Sequence, residues 1–316
     1  MFRSGENLFD SIIEFIDKNE NITLFCPYIK IDQLKQINTS KKITSIIVRW
    51  QVQDLCNGAS DLDVYHYCNE NNIYLFRNPR IHLKAFWNNR RSILFGSANL
   101  TNNGIGKNGS YNYELNDLKT NMNAHDICYL NHIIQTSHQI SKNIYNTLEQ
   151  LVRECSENKI PTYPETPRFD TFLSPFLLSQ LPMTESVEVF FSNYSKLDLL
   201  TENELIYLCH DLALYDIPLN LGMYELKDLL KIHFNSHPFI QAFKYSIINS
   251  KNNSMNYGRV VRWIQDNTTS VPIPRSWEIK EKQIVNILYN WLCYLDEDFF
   301  QYVPGVRSQV IEYRPL

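Results

Sequence analysis

Between Ile81 and Thr101 the chain reads IHLKAFWNNRRSILFGSANLT, and no other stretch limits its fold and chemistry so tightly. His82 and Lys84 stand two apart, so on an extended chain both side chains leave the same face. After the apolar run Ile93 to Phe95 comes Gly96-Ser97-Ala98-Asn99, in which Ser97 and Asn99 are again two apart. Two neighbouring strands built from these segments present an imidazole, an ammonium, a hydroxyl and an amide to one spot. That set suits a phosphodiester. Lysine brings a fixed positive charge to a non-bridging oxygen, and serine and asparagine add hydrogen bonds without adding charge. Histidine, whose ordinary pKa lies near neutrality, serves as nucleophile or proton carrier. No metal and no other cofactor is needed for these steps. The competing reading is a half-buried hairpin with a hydrogen-bonded core histidine.

The spacing from His82 to Asn99 resembles the signature of the phospholipase D superfamily, H-x-K, four residues, D, six residues, G-S-x-N. One letter departs, because Asn89 stands at the Asp position. The tyrosyl-DNA phosphodiesterase branch and some restriction nucleases of the superfamily also lack that Asp, so the departure weighs against phospholipid chemistry more than against activity. The resemblance implies an acidic residue shortly after the second half of the motif, here Glu114 in YNYELN, which holds the other ring nitrogen of the histidine. Glu70 and Asp117 are the alternatives. A superfamily site needs two half-motifs facing each other, and this chain has one. Members with a single copy build the site from two protomers across a two-fold axis, so the resemblance implies a homodimer with His82 of one chain opposed to His82 of the other. One histidine then forms a phosphohistidine, and the second protonates the leaving oxygen and activates water.

A length of 316 residues, 44% hydrophobic and 20% charged, suggests a globular protein of two domains. The net charge of −4 supplies no overall basic field, so DNA contact requires a local patch. Seven scattered cysteines without a C-x-x-C pair read as thiols of a reducing compartment. The segment MFRSGENLFDSIIEFI carries Glu6, Asp10 and Glu14 and lacks a signal-peptide core, and no apolar run is long enough to span a membrane. A cytoplasmic protein is expected.

Helical spacing over Leu8 to Asp17, Ile31 to Ile37 and Asp61 to Asn69 alternates with strand-like runs at Ile22 to Tyr28, Ile43 to Trp50, Ile73 to Phe76, Ile81 to Trp87 and Ser92 to Ser97. The pattern predicts an α/β fold, a phospholipase-D-like mixed sheet with helices on both faces, followed by a mostly α-helical C-terminal domain. Residues 1–158 are expected to form the catalytic and dimerisation domain. The Pro-rich residues 159–167 are the linker, and residues 168–316 select a target or dock a partner. Asp61 and Asp63 fall at an expected helix start, where acids favour the dipole. Ala124 to Cys155 reads as one long amphipathic helix, either a dimer contact or the connector to the second domain. Its His125, His132 and His138 stand seven and six apart, too far for metal ligands on one helix.

Arg49 closes the second strand, where open α/β sheets keep their ligands, and is a candidate substrate contact; its alternative is an ion pair with Asp54 or Asp61. RWQVQDLCNGASDLDVYHYC, which begins at Arg49, resembles the corresponding segment of bacterial phospholipase-D-like nucleases. Lys107, in the Gly-rich loop after the motif, is a candidate phosphate contact or else a solvated loop lysine. In NYGRVVRWIQDN, Arg259 and Arg262 stand three apart beside Tyr257 and Trp263, as a recognition helix would show. The alternative is an ordinary amphipathic helix. Arg275, Lys280, Lys282, Arg307 and Arg314 are candidates to extend that patch.

A one-copy phospholipase-D-like nuclease domain joined to a separate recognition domain resembles a class of bacterial restriction enzymes. The first expectation is therefore a metal-independent endonuclease, acting on duplex DNA as a dimer in restriction or anti-phage defence. The second keeps the site but makes the helical domain a docking module for an ATPase or other defence subunit, with activity silent until assembly. The third, a phospholipid or small-phosphodiester hydrolase, is disfavoured by the single motif, Asn89 and the lack of a membrane-binding segment.

Overall fold

The computed structural model describes residues 7–106, 111–158, 176–269, 281–302 and 309–315. The chain divides into two compact units, one of residues 1–123 and 136–172, the other of residues 124–135 and 173–316.

In the first unit β1 (Ile22–Phe25), β2 (Ile43–Val48) and β3 (Tyr74–Arg77) run parallel. On one side β4 (Lys84–Trp87), β5 (Ile93–Gly96) and β6 (Asn116–Lys119) continue the sheet with antiparallel pairings from β1 outward. The short β7 (His138–Gln139) closes the other edge against β3, so the order is β6-β5-β4-β1-β2-β3-β7. Every residue of β1 is buried, and every residue of β2 but Thr44. Continuous apolar runs of this kind mark strands covered on both faces. The cover comes from α1 (Leu8–Lys18), α2 (Ile31–Ile37), α4 (Val64–Glu70) and α7 (Lys142–Asn158), whose Leu8, Ile12, Leu34, Val64 and Leu148 join the same core. The short α3 (Val52–Cys56), which the sequence pattern does not announce, packs on α7, and the single turn α5 (Asn102–Ile105) follows the motif, capped by Thr101 Oγ1, which accepts from Gly104 N at 3.2 Å. Asp61 does not open α4. Its carboxylate accepts from Ile31 N at 2.9 Å in the first turn of α2 and pairs with Lys30, so the acid serves the dipole of a different helix.

The helix expected from Ala124 to Cys155 is broken. α6 (Ala124–Gln135) belongs to the second unit, where it packs on α9 (Glu202–Leu214), whereas α7 belongs to the first. Thr136 and Ser137 interrupt the helical run, the Ser137 hydroxyl accepts from Asn78 at 3.2 Å, and Ile140 N bonds to Leu75 O, which pulls residues 138–139 onto the sheet edge. Short polar side chains that bond elsewhere compete with helix continuation. His138 thus lies on a strand and not on one helix with His125 and His132.

The second unit is mostly helical: the helical periodicity of Leu205 to Tyr215, Tyr224 to Phe234, Phe239 to Ile248, Tyr257 to Asp266 and Glu281 to Leu295 is met by α9, α10 (Met223–Ser236), α11 (Pro238–Ile248), α12 (Tyr257–Asn267) and α13 (Glu281–Leu295), joined by α8 (Val187–Tyr194). Its core gathers around the fully buried Trp291, whose ring meets Phe190, Tyr215 and Phe234. Two strands, β8 (Phe176–Leu177) and β10 (Thr268–Thr269), pair in parallel. Three others form an antiparallel sheet in the order β11-β12-β9, from Phe299–Tyr302, Val310–Tyr313 and Ser254–Asn256. The Pro-rich residues 159–167 lie outside the described residues.

Candidate active site

Strand register brings the motif together. Phe25 faces Ala85 across β1 and β4, Lys84 faces Gly96 across β4 and β5, and Gly96 faces Asn116 across β5 and β6. The carboxyl end of β1, the amino end of β4 and the carboxyl end of β5 therefore meet at one end of the sheet. His82 lies just ahead of β4, which begins at Lys84 and not at Ile81, and Ser97 follows β5 directly. Freed from strand geometry, the exposed His82 ring folds back over its neighbour. Lys84 Nζ stands 3.2 Å from Nδ1 and 3.3 Å from Nε2 of His82 and donates to its backbone oxygen at 2.9 Å.

Gly96 has a packing reason. A Cβ there would lie 2.1 Å from Asn116 Oδ1 and 2.3 Å from Leu115 O, so only glycine lets β6 approach β5 at this point. That approach places Glu114 on Ser97. The Ser97 hydroxyl bonds to the Glu114 carboxylate and accepts from Leu115 N at 3.0 Å, and Asn112 Nδ2 reaches the second carboxylate oxygen at 3.4 Å. Glu114 thus holds Ser97, and among the described residues it has no hydrogen bond to His82. Asn99 sits over the buried Cys26, whose thiol lies 3.9 Å from Asn99 Oδ1.

The electrostatics favour a neutral imidazole. The Lys84 ammonium, then partial burial, then the Arg49 charge hold the His82 pKa below its ordinary value. Burial lowers the pKa of Lys84 as well; Arg49 acts in the same sense, and Cys26 and Glu114 oppose it. Burial pushes the Cys26 thiol up to about 11, so it stays protonated beneath the site. A neutral imidazole beside a confined cation can attack an electrophile whose negative oxygens the cation receives.

Arg49 takes the ion-pair alternative. Its Nε donates to Asp54 Oδ2 at 2.7 Å, Nη2 bonds to Asp54 Oδ1 and to Tyr28 OH, and the guanidinium lies 4.9 Å from the Tyr28 ring centroid. The next residue, Trp50, is fully buried with φ +42°, an unusual backbone for a bulky side chain. It is held in place by bonds from its indole to Ser60 at 3.1 Å and from Arg77 Nε to its carbonyl at 3.0 Å. Arg49 is therefore a fixed charge near the site. Sequence reasoning missed Cys26 and Tyr28, and the available signal was their place just past the carboxyl end of a buried parallel strand.

Asn89 lies in the β4–β5 turn, at the far end of the strands from Lys84. It adopts φ +58°, is 3% exposed, accepts from Thr23 Oγ1 at 3.0 Å and donates to Asn21 O. Its contacts are structural. Lys107 lies outside the described residues, as do Arg275, Lys280 and Arg307. Arg259 and Arg262 are exposed on α12 of the second unit, while Tyr257 and Trp263 turn inward, Trp263 against Phe239 and Phe243. Arg314 pairs with Glu312 at 2.7 Å. Among the described residues no three His, Cys, Asp or Glu side chains gather as metal ligands would, and no helix is long and apolar enough to cross a membrane.

No protein-family model matches the chain, and no curated protein sequence matches it. Among solved structures it is similar to Nuc from Salmonella typhimurium, described as a phospholipase D family member, at 16% identity and a TM-score of 0.37, over 45% of this chain and 99% of that one. It is also similar to phosphatidylserine synthase from Haemophilus influenzae at 16% identity and a TM-score of 0.38, over 53% of this chain and 45% of the other. NucT from Helicobacter pylori is similar at 15% identity and a TM-score of 0.31, over 48% and 97%.

Proposed function

We propose that this chain is a phosphodiester hydrolase of the phospholipase D type, acting on DNA as a homodimeric, metal-independent endonuclease in restriction or phage defence. The observation that carries the reading is the meeting of His82, Lys84, Ser97 and Asn99 at one end of the sheet, with the His82 pKa lowered by the Lys84 charge. A ring nitrogen of His82 attacks phosphorus, and the new N–P bond forms as the P–O bond to the leaving oxygen breaks. Lys84 and the Asn99 amide receive the non-bridging oxygens, where charge builds in the transition state. Ser97, oriented by Glu114, completes the set. The leaving oxygen needs a proton, and hydrolysis of the phosphohistidine needs an activated water. The site holds one imidazole, so both tasks fall to His82 of the partner subunit. The exposure of Phe95 (42%), Tyr113 (102%) and Leu115 (56%), beside Ser97 and Glu114, supports an interface there, because apolar side chains grouped in the open mark association surfaces.

The test is cleavage of supercoiled plasmid in excess EDTA by the wild-type chain and by His82→Ala, with the mass of each in solution measured in parallel. Cleavage by a wild-type dimer and none by an equally dimeric variant is expected. Equal rates would overturn the assignment. No cleavage by a folded, dimeric wild-type chain would turn the reading to an effector that needs a partner such as an ATPase.

A further inference from the structure

The carboxyl ends of β1 and β2 lie beside the amino end of β4, because β1 pairs parallel with β2 and antiparallel with β4. Arg49 directly follows β2, Tyr28 comes just after β1, and Lys84 opens β4. Tyr28 thus leaves the strand that runs between those of Arg49 and Lys84. With neighbouring strands about 4.8 Å apart, the Arg49–Tyr28 pair begins one to two strand spacings, roughly 5–10 Å, from Lys84. The Arg49 charge is felt there. It lowers the His82 pKa after the Lys84 charge and burial, and after burial it lowers that of Lys84.

Two donors of this pair are uncommitted. Arg49 gives Nε to Asp54 Oδ2 at 2.7 Å, and Nη2 to Asp54 Oδ1 and to Tyr28 OH, which leaves Nη1 without an acceptor among the described residues. The Tyr28 hydroxyl accepts from Nη2 and has no described acceptor for its own proton. Neither group is sealed off, since Tyr28 is half-buried and the Arg49 side chain is 21% exposed. The two-point grip of Asp54, itself buried, denies the guanidinium the swing that would carry it to Lys84. Asp54 does not serve Arg49 alone, because its charge also acts on the buried Arg77, where it opposes the lowering of the pKa by burial. The result is a fixed cation and a hydroxyl bonded to each other, one with N–H and the other with O–H left over. Such a pair suits the oxygens of a phosphate.

We infer that Arg49 and Tyr28 form a second phosphate subsite, which takes the phosphate next to the scissile one along a nucleic-acid strand. This rests on the reading of the His82 site as a phosphodiester site. The scissile phosphate falls to Lys84 and Asn99, and a guanidinium locked on Asp54 stays on its own strand, so the pair serves another group. A nucleic-acid strand offers one, because it carries a phosphate on either side of each internal nucleoside, whereas a small phosphodiester has a single phosphate. Arg49 is thereby a specificity-determining residue. It favours a polynucleotide over a lone diester and positions the strand without touching a base.

The experiment is isothermal titration of the full chain with thymidine 5′-monophosphate, thymidine 3′-monophosphate and thymidine 3′,5′-bisphosphate, repeated with Arg49→Gln and Tyr28→Phe. None of the three contains a diester, so binding is read without turnover. The bisphosphate should bind the wild type about tenfold or more tightly than either monophosphate, the scale of one charge-assisted hydrogen bond. In Arg49→Gln that advantage should vanish. In Tyr28→Phe, which keeps the ring beside the guanidinium and loses one donor, it should shrink. The readout is a ratio of two affinities within one variant, so any change at His82 and Lys84 that both ligands share cancels. Equal binding of mono- and bisphosphate by the wild type, or an advantage that survives Arg49→Gln, would overturn the subsite and leave the His82 reading standing. If Arg49→Gln, which strips the buried Asp54 of its partner, fails to fold, an undiminished advantage in Tyr28→Phe would overturn it. No binding of any of the three would overturn the subsite together with the phosphodiester site. An advantage that Arg49→Gln removes, in a chain that leaves plasmid uncut, would uphold the subsite and count against the hydrolase reading alone.

Discussion

Replacing Asn89 by aspartate, the letter the superfamily signature carries, tests whether this position builds the hairpin or takes part in the chemistry. The side chain is buried, accepts from Thr23 Oγ1 at 3.0 Å and donates to Asn21 O. Aspartate tolerates a left-handed backbone nearly as well as asparagine does, so the cost lies in the second bond. A carboxylate oxygen would face the Asn21 carbonyl, and a charge would be buried with one hydroxyl as its donor. An unsatisfied buried acceptor costs about 1–3 kcal/mol, and a charged one more. In a unit of this size each kcal/mol lowers the midpoint by about 2–4 °C, so thermal unfolding of the variant at neutral pH should begin roughly 2–12 °C below wild type. Acid should narrow the gap. Burial raises the folded-state pKa of the new carboxyl above its unfolded value, so the variant has its full stability below the unfolded pKa and loses it as pH rises through the folded one. The turn lies three strand residues, roughly 10 Å, from Lys84. Cleavage measured well below both transitions should therefore be unchanged. A variant as stable as wild type at neutral pH, or one that keeps its midpoint and loses activity, would refute the reasoning.

Other consequences follow from the same geometry. In Lys84→Gln the cation that holds the His82 pKa down is gone, so the pKa should rise toward the ordinary histidine value and the imidazole should protonate at a higher pH. An NMR titration that places the variant's His82 at or below the wild-type value would contradict this. Asn99→Ala should lower the cleavage rate by about 10²-fold or more, the scale of one lost oxyanion donor, with KM little changed; a loss seen in KM alone would assign Asn99 to ground-state binding. Gly96→Ala should push β6 from β5 and cost about 1–3 kcal/mol, detected as faster amide exchange at Leu115 to Lys119, and unaltered exchange there would show that the sheet yields more easily than the 2.1 Å contact implies.

The candidate site was legible in the sequence as a grouping of residues, because they are close along the chain and their spacing matches strand geometry. His82, Lys84, Ser97 and Asn99 span fewer than twenty residues, and one β-hairpin assembles them. Strands β1 to β5 and five helices of the second unit were likewise marked by apolar runs or helical periodicity. What the sequence hid were partners set by register or by long-range packing. Glu114 takes Ser97 and not the imidazole because β6 closes on Gly96, a pairing that no local pattern announces. Arg49 spends its guanidinium on Asp54 and Tyr28, and Tyr28 is distant in sequence. The break between α6 and α7 escaped because the apolar spacing continues through Thr136 and Ser137, while the hydrogen bonds of Ser137 and Ile140 to distant strands redirect the chain.

If His82 is the nucleophile, as proposed, a covalent intermediate on its ring can be trapped. A reaction with a short labelled oligonucleotide is quenched in alkali, under which phosphohistidine survives, digested, and examined by mass spectrometry for the peptide that carries His82. A nucleotidyl adduct joined through phosphorus to the His82 ring is expected, forming and decaying with turnover and absent in His82→Ala. Turnover without any adduct, or an adduct on another residue, would contradict the role of His82 as nucleophile.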